Sequence, residues 1–305
     1  MPYSKLLILA AFAASTIYIH FRGRVRLGFW RQLSDHSTLM APINCVMYLF
    51  SRVPAKPYLS EAQFPELKTL TANWERIREE ALRLYGAGDI KASSRYDDLG
   101  FNSFFKTGWK RFYLKWYGAD HPSARERCPY TTALLAQYPQ IKAAMFTALP
   151  PGGRLVQHRD PYAGSVRYHL GLITPNDDHC YIAVDGQRYS WRDGQAVLFD
   201  ETYLHYAENA SGQNRIILFC DVERPMWFPP AAWLNRLLGR ILLAAARSPN
   251  QEGDHTGGLN RAFHYVQQLR LFGKRIKARN RFAYYCLKWL LLAGPIVLWL
   301  CWDAL

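Results

Sequence analysis

Short apolar segments separated by turn signals fill the chain between residues 166 and 221, and this pattern restricts the fold more than any other feature. Residues 166–173 alternate with a two-residue period, which places Arg167 and His169 on the same face of a strand. Asp185–Gly186 is a two-residue hairpin signal between two such segments. We therefore predict a mainly β core, either a small antiparallel barrel or a double-sheet jelly roll. The predicted strands are residues 166–173, 181–184, 187–191, 196–199 and 214–221.

Two histidines and an aspartate have the spacing of a mononuclear metal site. His158 and Asp160 lie two residues apart, so they share one face of a predicted strand, and His205 belongs to a later strand. A 2-His-1-carboxylate face binds Fe(II) at three positions and leaves three positions open. Arg215, ten residues after His205, can supply a fixed cation for a dicarboxylate cosubstrate. A single histidine on a strand is more often scaffold, so the prediction depends on the complete set.

The segments around these residues resemble the aspartyl/asparaginyl β-hydroxylase family. That resemblance covers roughly residues 60–225 and implies a double-stranded β-helix of the cupin-like kind that uses Fe(II), 2-oxoglutarate and O2. With its hydrophobic ends, the chain is similar to the membrane-bound branch that hydroxylates lipid A acyl chains in Gram-negative bacteria. The similar segments are His158-Arg159-Asp160-Pro161, Arg167 to Leu172, Leu198-Phe199-Asp200, Arg215-Ile216-Ile217, Phe64 to Leu67, Asn73-Trp74, Pro129 to Thr132 and Pro151-Gly152.

The resemblance also implies a role for each matching residue. His158, Asp160 and His205 resemble the iron ligands, and the peptide-hydroxylating members have a glycine at the position of Asp160. Arg215 resembles the residue that pairs with the distal carboxylate of 2-oxoglutarate. Thr147 matches a hydroxyl residue that assists Arg215, although a strand residue facing a polar pocket is the alternative.

Two further residues complete the predicted cofactor-binding set of Arg215, Thr147, His169 and Arg167. His169 matches a histidine near the other end of the cosubstrate, and a structural hydrogen bond is its alternative role. Arg167 matches an arginine that contacts an acidic substrate in the peptide-hydroxylating members, so a lipid substrate would require another role for it.

Both ends of the chain are hydrophobic and are flanked by basic residues. Residues 6–21 are apolar and are followed by four arginines, a charge order that argues against the alternative of a cleaved signal peptide. Residues 282–302 are long enough to cross a bilayer and follow a basic segment at 274–281, with a buried core helix as the alternative. The positive-inside rule then places the middle of the chain in the cytoplasm. Together with this orientation, the resemblance to the lipid A branch implies the inner membrane of a bacterium.

Charge and helical periodicity complete the predicted organisation. The net charge of +14, without a nucleic-acid motif, favours an anionic bilayer as the partner. A capping box at residues 60–63 begins an apolar helical stripe that should pack outside the β core. The stripe within residues 233–245 suits either an interfacial helix or a cover for the core. We predict an N-terminal anchor at 1–27, an oxygenase domain at 55–228, amphipathic and basic linker helices at 229–280, and a C-terminal transmembrane helix at 281–305.

The two predicted anchors favour a membrane lipid as the substrate, and the family resemblance then implies hydroxylation of a secondary acyl chain of lipid A at its 2-position. The same chemistry on an ornithine lipid, or on Asp or Asn in a peptide, is the first alternative. A non-enzymatic, membrane-anchored barrel that binds a ligand is the second. The sequence suggests no obligate protein partner.

Overall fold

Two antiparallel sheets face each other at the centre of the protein in the computed structural model, which describes residues 3–93 and 98–301. The strands are β1 (Tyr58–Leu59), β2 (Lys110–Trp116), β3 (Ala119–Asp120), β4 (Ile141–Leu149), β5 (Arg154–His158), β6 (Ser165–Ile173), β7 (Cys180–Val184), β8 (Gln187–Ser190), β9 (Ala196–Phe199), β10 (His205–Asn209) and β11 (Arg215–Glu223). Within the described residues, the larger sheet has the order β1-β9-β6-β11-β4-β2-β3 and the smaller sheet the order β5-β10-β7-β8. The predicted mainly β, double-stranded β-helix core is confirmed.

Helices surround this core and extend from both ends of it. The helices are α1 (Tyr3–Phe21), α2 (Phe29–Leu33), α3 (His36–Leu39), α4 (Ala41–Leu49), α5 (Lys68–Ala72), α6 (Trp74–Gly86), α7 (Pro122–Arg127), α8 (Pro129–Ala136), α9 (Pro229–Leu238), α10 (Gly258–Arg279) and α11 (Arg281–Cys301). Short 3-10 turns occupy Glu61–Gln63, Pro65–Leu67 and Phe104–Thr107, and a π turn at Gly239–Leu243 follows α9.

The alternation in β6 separates a packing face from a site face. Tyr168 and Leu170 are fully buried in an apolar layer that also contains Ile77 of α6. Arg167 and His169 point the opposite way, into a pocket between the sheets. The predicted strand period and the predicted packing of the 67–84 stripe on the outside of the core are therefore both confirmed.

The β7–β8 hairpin has the predicted two-residue turn. Asp185 and Gly186 have φ angles of 51° and 82°, and Val184 pairs with Gln187 across the turn. Two consecutive left-handed residues match the right-handed twist of a hairpin, and glycine takes this conformation without a steric penalty. The turn also serves as a docking point, because the Asp185 carboxylate accepts hydrogen bonds from the backbone N–H groups of Arg24 and Val25 at 3.0 and 2.8 Å.

The terminal helices α1 and α11 are long and apolar enough to cross a membrane, by length and composition. Only 17% of the apolar window of α1 is buried, and 0% of that of α11, so α11 is not a core helix. The Lys5 amine donates to the carbonyl of Trp299 at 2.7 Å, and the rings of Trp30 and Trp289 lie 6.0 Å apart. These two contacts orient the helices in opposite directions, so that their basic flanks lie at the same end. Residues 1–2 of the predicted N-terminal anchor and residues 302–305 of the predicted C-terminal helix lie outside the described residues.

Segments outside the predicted oxygenase domain pack directly on the β core. Asn44 of α4 donates to the carbonyl of Pro161 at 3.0 Å and accepts from the N–H of Ala163 at 2.9 Å. On α9, Asn235 donates to the carbonyl of Gly164 at 2.8 Å, while Trp233 remains 64% exposed. One face of α9 thus covers the core and the other faces outward, as both alternatives for this stripe require. The predicted domain boundaries, at 1–27, 55–228, 229–280 and 281–305, stay a prediction.

Candidate metal centre and cosubstrate pocket

His158 and His205 face each other at one end of the smaller sheet. His158 is the last residue of β5 and His205 the first of β10, and the two are cross-strand partners with ring centroids 4.2 Å apart. Nδ1 of His158 donates to the carbonyl of Val156 at 2.7 Å, and Nδ1 of His205 donates to that of Tyr203 at 3.0 Å. These bonds define the tautomer, because a proton on Nδ1 leaves each Nε2 with a free lone pair.

Asp160 completes a three-residue group, but from a loop rather than a strand. The prediction that it shares a strand face with His158 is wrong, because β5 ends at His158 and Pro161 restricts the backbone before it. The Asp160 N–H instead donates to the carbonyl of Glu201 at 2.9 Å, and this bond holds the loop against the core. One potential ligand atom from each of His158, Asp160 and His205 lies within 4.8 Å of the others.

The protonation states of these three residues suit a metal. Burial lowers the pKa of His205 to about 3, with a further contribution from His158, and burial also lowers the pKa of His158. Burial alone would raise the pKa of Asp160, but Arg167, followed by the two histidines, brings it down to about 2. At neutral pH the site thus presents two neutral imidazoles and one carboxylate. Two nitrogen donors and one oxygen donor on one face of a metal ion, with the opposite face open to other ligands, fit Fe(II).

Arg215 is a buried cation that lines the pocket. Its side chain enters the pocket from the first position of β11 and is 2% exposed. Its Nη1 donates to Thr147 Oγ1 on β4 at 3.4 Å, and its guanidinium carbon lies 4.5 Å from the centre of the Trp191 ring. No carboxylate among residues 3–93 and 98–301 is ion-paired with it, and burial lowers its pKa to about 10. A desolvated cation of this kind is a binding position for an anion.

His169 faces the same pocket from β6. Its ring packs between Phe199 and Phe219, at centroid distances of 5.0 and 5.2 Å, and neither ring nitrogen has a hydrogen-bond partner in the described part of the chain. Burial, followed by Arg167 and Arg215, holds its pKa well below the usual range, so the imidazole is neutral. The structural hydrogen bond that was its alternative role is not observed among these residues, and both nitrogens remain available to a ligand.

Arg167 is surrounded by carboxylates of the protein. Its Nη2 donates to Asp160 Oδ2 at 2.6 Å and pairs with Glu201, and its Nε donates to Asp221 Oδ1 at 2.9 Å. The guanidinium carbon lies 3.8 Å from the centre of the Phe219 ring. Two of its guanidinium nitrogens, Nε and Nη2, thus already serve acids of the protein, and one of these acids is a predicted ligand. Arg167 also lines the pocket, and its place among the cofactor-binding residues stays a prediction.

Several residues of the pocket, and two acids that contact Arg167, were missed by the sequence analysis. Phe104 packs on His158 at a centroid distance of 4.8 Å, and Phe101 and Trp109 lie beside it. Asp221 lies on the same face of β11 as Arg215. The two-residue alternation of this strand could therefore have predicted that its side chain points inward. Phe104 and Glu201 lie outside any regular strand period, so no signal of this kind pointed to them.

The fold and the site together define the class of protein. It is a double-stranded β-helix whose smaller sheet has a 2-His-1-carboxylate group at one end, with a buried arginine in the same pocket. This chain belongs to the aspartyl/asparaginyl β-hydroxylase family, whose profile matches residues 71–225. The family suggested by the sequence is thereby confirmed.

Individual relatives include lipid-modifying and other members of the family. The chain is 40% identical over 138 residues to the ornithine lipid ester-linked acyl 2-hydroxylase of Rhizobium tropici, covering 45% of this chain and 49% of that protein. It is 28% identical over 238 residues to human aspartate beta-hydroxylase domain-containing protein 2, covering 74% and 62%. It is 27% identical over 191 residues to human aspartyl/asparaginyl beta-hydroxylase, covering 60% and 24%. The chain thus spans less than two thirds of the length of each of these relatives.

One solved structure found similar to this chain is the prolyl-4-hydroxylase of Pseudomonas putida. It is 18% identical, with a TM-score of 0.35, and the match covers 50% of this chain and 88% of that one.

Proposed function

We propose that this protein is an Fe(II)- and 2-oxoglutarate-dependent hydroxylase that acts on an acyl chain of a membrane lipid. Our first candidate for the reaction is 2-hydroxylation of a secondary acyl chain of lipid A. The observation that carries the proposal is that one pocket contains both the His158, Asp160 and His205 group and the Arg215 cation, which has no carboxylate partner in the part of the chain that the structure describes. The first suits a metal with open positions, and the second suits a dicarboxylate of fixed length.

In this proposal, each residue of the pocket has a separate role. His158, Asp160 and His205 hold Fe(II), Arg215 and Thr147 bind the distal carboxylate of 2-oxoglutarate, and neutral His169 donates a hydrogen bond to the cosubstrate. When bound there, iron with 2-oxoglutarate and O2 supplies the oxidation that places a hydroxyl group on an unactivated carbon and releases succinate and CO2. Phe101, Phe104 and Trp109 exclude water beside His158 and offer apolar surface to an acyl chain.

The lipid substrate is supported by the two ends of the chain and by one relative. α1 and α11 are long and apolar enough to span a bilayer, and their basic flanks lie at the same end. We therefore propose that the protein lies in the bacterial inner membrane with the β core in the cytoplasm, where 2-oxoglutarate is available. The Rhizobium tropici relative is named for hydroxylation of an acyl chain, which supports a lipid as the substrate class.

An ornithine lipid is the second candidate, because that relative is named for it. A peptide Asp or Asn side chain is less favoured. Its recognition would call for a free cation near the metal, whereas Arg167 is occupied by three carboxylates.

Mass spectrometry of lipids tests the proposal. The wild type, His205→Ala and His179→Ala are expressed in two Gram-negative hosts, one of which also makes ornithine lipids. The wild type should add one oxygen atom to an acyl chain of lipid A, His205→Ala should add none, and His179→Ala should match the wild type because His179 is an exposed turn residue bonded to Asp177. Oxygen added to the ornithine lipid alone would select the second candidate. Unchanged lipids, without lipid-dependent succinate in vitro, would refute the enzyme in favour of a binding barrel.

A further inference from the structure

Four ionisable side chains at the candidate metal centre form one cluster, in which Arg167, Glu201 and Asp221 are buried and Asp160 is partly buried. We propose that Arg167 is a positioning residue that holds one carboxylate oxygen of Asp160, so that Asp160 offers the metal only its other oxygen. This inference deepens the proposed function and rests on it. It gives Arg167 a role toward the metal rather than toward the substrate or the cosubstrate.

The two oxygens of Asp160 have different surroundings. Oδ2 accepts from Arg167 Nη2 at 2.6 Å, which is a short, charge-assisted hydrogen bond. Oδ1 faces the metal centre, 3.6 Å from Nε2 of His158. With Oδ2 engaged, the carboxylate cannot turn both oxygens toward the metal without breaking its bond to the guanidinium.

Arg167 is itself held in place by residues of the larger sheet. Asp221 of β11 accepts from its Nε at 2.9 Å and, through its other oxygen, accepts from the hydroxyl of Tyr117 at 3.1 Å. Glu201 pairs with Nη2 and accepts from Ser165 Oγ at 2.8 Å. These contacts hold two nitrogens of the planar guanidinium, Nε and Nη2, which a lysine ammonium with a single nitrogen cannot reproduce.

Binding of the metal through only one oxygen of Asp160 matters because the reaction requires a certain number of open coordination positions. Two histidines and one carboxylate oxygen leave three of six positions open, which is what a chelating cosubstrate and O2 need. A carboxylate that binds through both oxygens would occupy one of these positions. By holding one oxygen of Asp160, Arg167 thus keeps three coordination positions of the metal open. Hydrogen bonds to metal ligands commonly orient those ligands in this way.

The test is binding of Mn²⁺, and then of 2-oxoglutarate, to the detergent-solubilised full chain without O2. We expect Arg167→Gln to weaken Mn²⁺ binding by about 10- to 100-fold, the usual loss when a partner of a ligand is removed. At saturating Mn²⁺ it should also weaken 2-oxoglutarate binding. Arg111→Gln is the matched control, since Arg111 is also buried and donates to Asp98 at 2.9 Å but does not line the pocket. It should lower thermal stability and leave both affinities unchanged.

Other outcomes separate this inference from the proposed function. If the wild type does not bind Mn²⁺, the proposed metal site itself fails. If the wild type binds Mn²⁺ and Arg167→Gln binds both ligands equally well, the role of Arg167 is refuted and the proposed function stands. If Arg167→Gln shows no cooperative unfolding, Arg167→Lys replaces it. We then expect Mn²⁺ binding about tenfold weaker than that of the wild type, and unchanged binding would overturn the inference.

Discussion

Arg22 and Asp200 form a buried ion pair that joins the segment after α1 to the loop after β9. The guanidinium carbon of Arg22 lies 4.0 Å from the centre of the Tyr48 ring and 3.9 Å from that of Tyr203. Arg224 donates to the same carboxylate at 2.9 Å. The end of the apolar helix is thereby tied to the β core through a desolvated contact rather than a flexible linker.

The position of this ion pair relates the helix to the metal centre. Tyr203 is two residues from His205, and the Asp185 turn that binds the backbone after Arg22 is next to Val184, the cross-strand partner of His205. The end of α1 therefore lies at the same end of the smaller sheet as the metal centre. In the proposed membrane arrangement, this contact holds the pocket close to the bilayer surface.

The first prediction concerns the stability of this contact. Removing one partner of a buried ion pair typically destabilises a protein by about 3–5 kcal/mol. We expect Arg22→Ala to fall near the lower value, about 3 kcal/mol, because Arg224 still neutralises Asp200. Arg24→Ala, an exposed arginine two residues away, should change stability by less than about 0.5 kcal/mol. Urea unfolding in detergent measures both, and equal effects would contradict the buried contact.

The second prediction concerns acid pH. Burial alone would raise the pKa of Asp200, but Arg22 and Arg224 hold it well below its usual range. Since the pKa is lower in the folded state, the stabilisation is complete above the pKa of an unfolded aspartate, about 4, and is lost as pH falls below that value. Asp200→Asn should therefore flatten the fall in unfolding free energy below pH ~4, by up to about 1.4 kcal/mol per pH unit. Glu75→Gln on the exposed side of α6 is the control, and it should leave the slope as in the wild type.

The third prediction is that Arg215 is retained for function at the expense of stability. A buried cation without a carboxylate partner is costly to desolvate, so Arg215→Met should raise the unfolding free energy by about 1–3 kcal/mol without ligands. The same variant should bind 2-oxoglutarate at least about 30-fold more weakly, the effect of losing a buried charge pair. Thermal unfolding with and without 2-oxoglutarate and Mn²⁺ measures both effects. If Arg215→Met is less stable than the wild type and is still stabilised by 2-oxoglutarate, the role assigned to Arg215 is wrong. The control is Arg188→Met at an exposed position, which should behave like the wild type.

The fourth prediction concerns the close packing of β6 near the site. A Cβ atom on Gly171 would lie 2.1 Å from the backbone carbonyl oxygen of Arg192, which has little freedom to move. Gly171→Ala should therefore destabilise the protein by about 3 kcal/mol or more through overpacking. Gly212→Ala is the matched control, because a Cβ there meets no atom within 4 Å. Equal unfolding midpoints for the two variants would show that the backbone at Arg192 can yield.

The local properties of the chain were predictable because they depend on neighbouring residues. The two-residue period of β6, the Asp185–Gly186 turn and the capping box at Ser60 all follow from backbone geometry over a few positions. The grouping of His158, Asp160 and His205 was also predicted, although its basis was the spacing of the whole set and a family resemblance rather than a local rule.

What only the tertiary structure decided involves residues far apart in the chain. Arg167 meets Asp221 across 54 positions and Arg215 meets Thr147 across 68, and both contacts depend on the register of β11 against its neighbours. The position of Asp160 outside β5 and the docking of α4 on the following loop are of the same kind. A sequence determines which face of a strand each side chain occupies. Only the pairing of distant strands determines which charges meet in the interior, where burial gives each contact its strength.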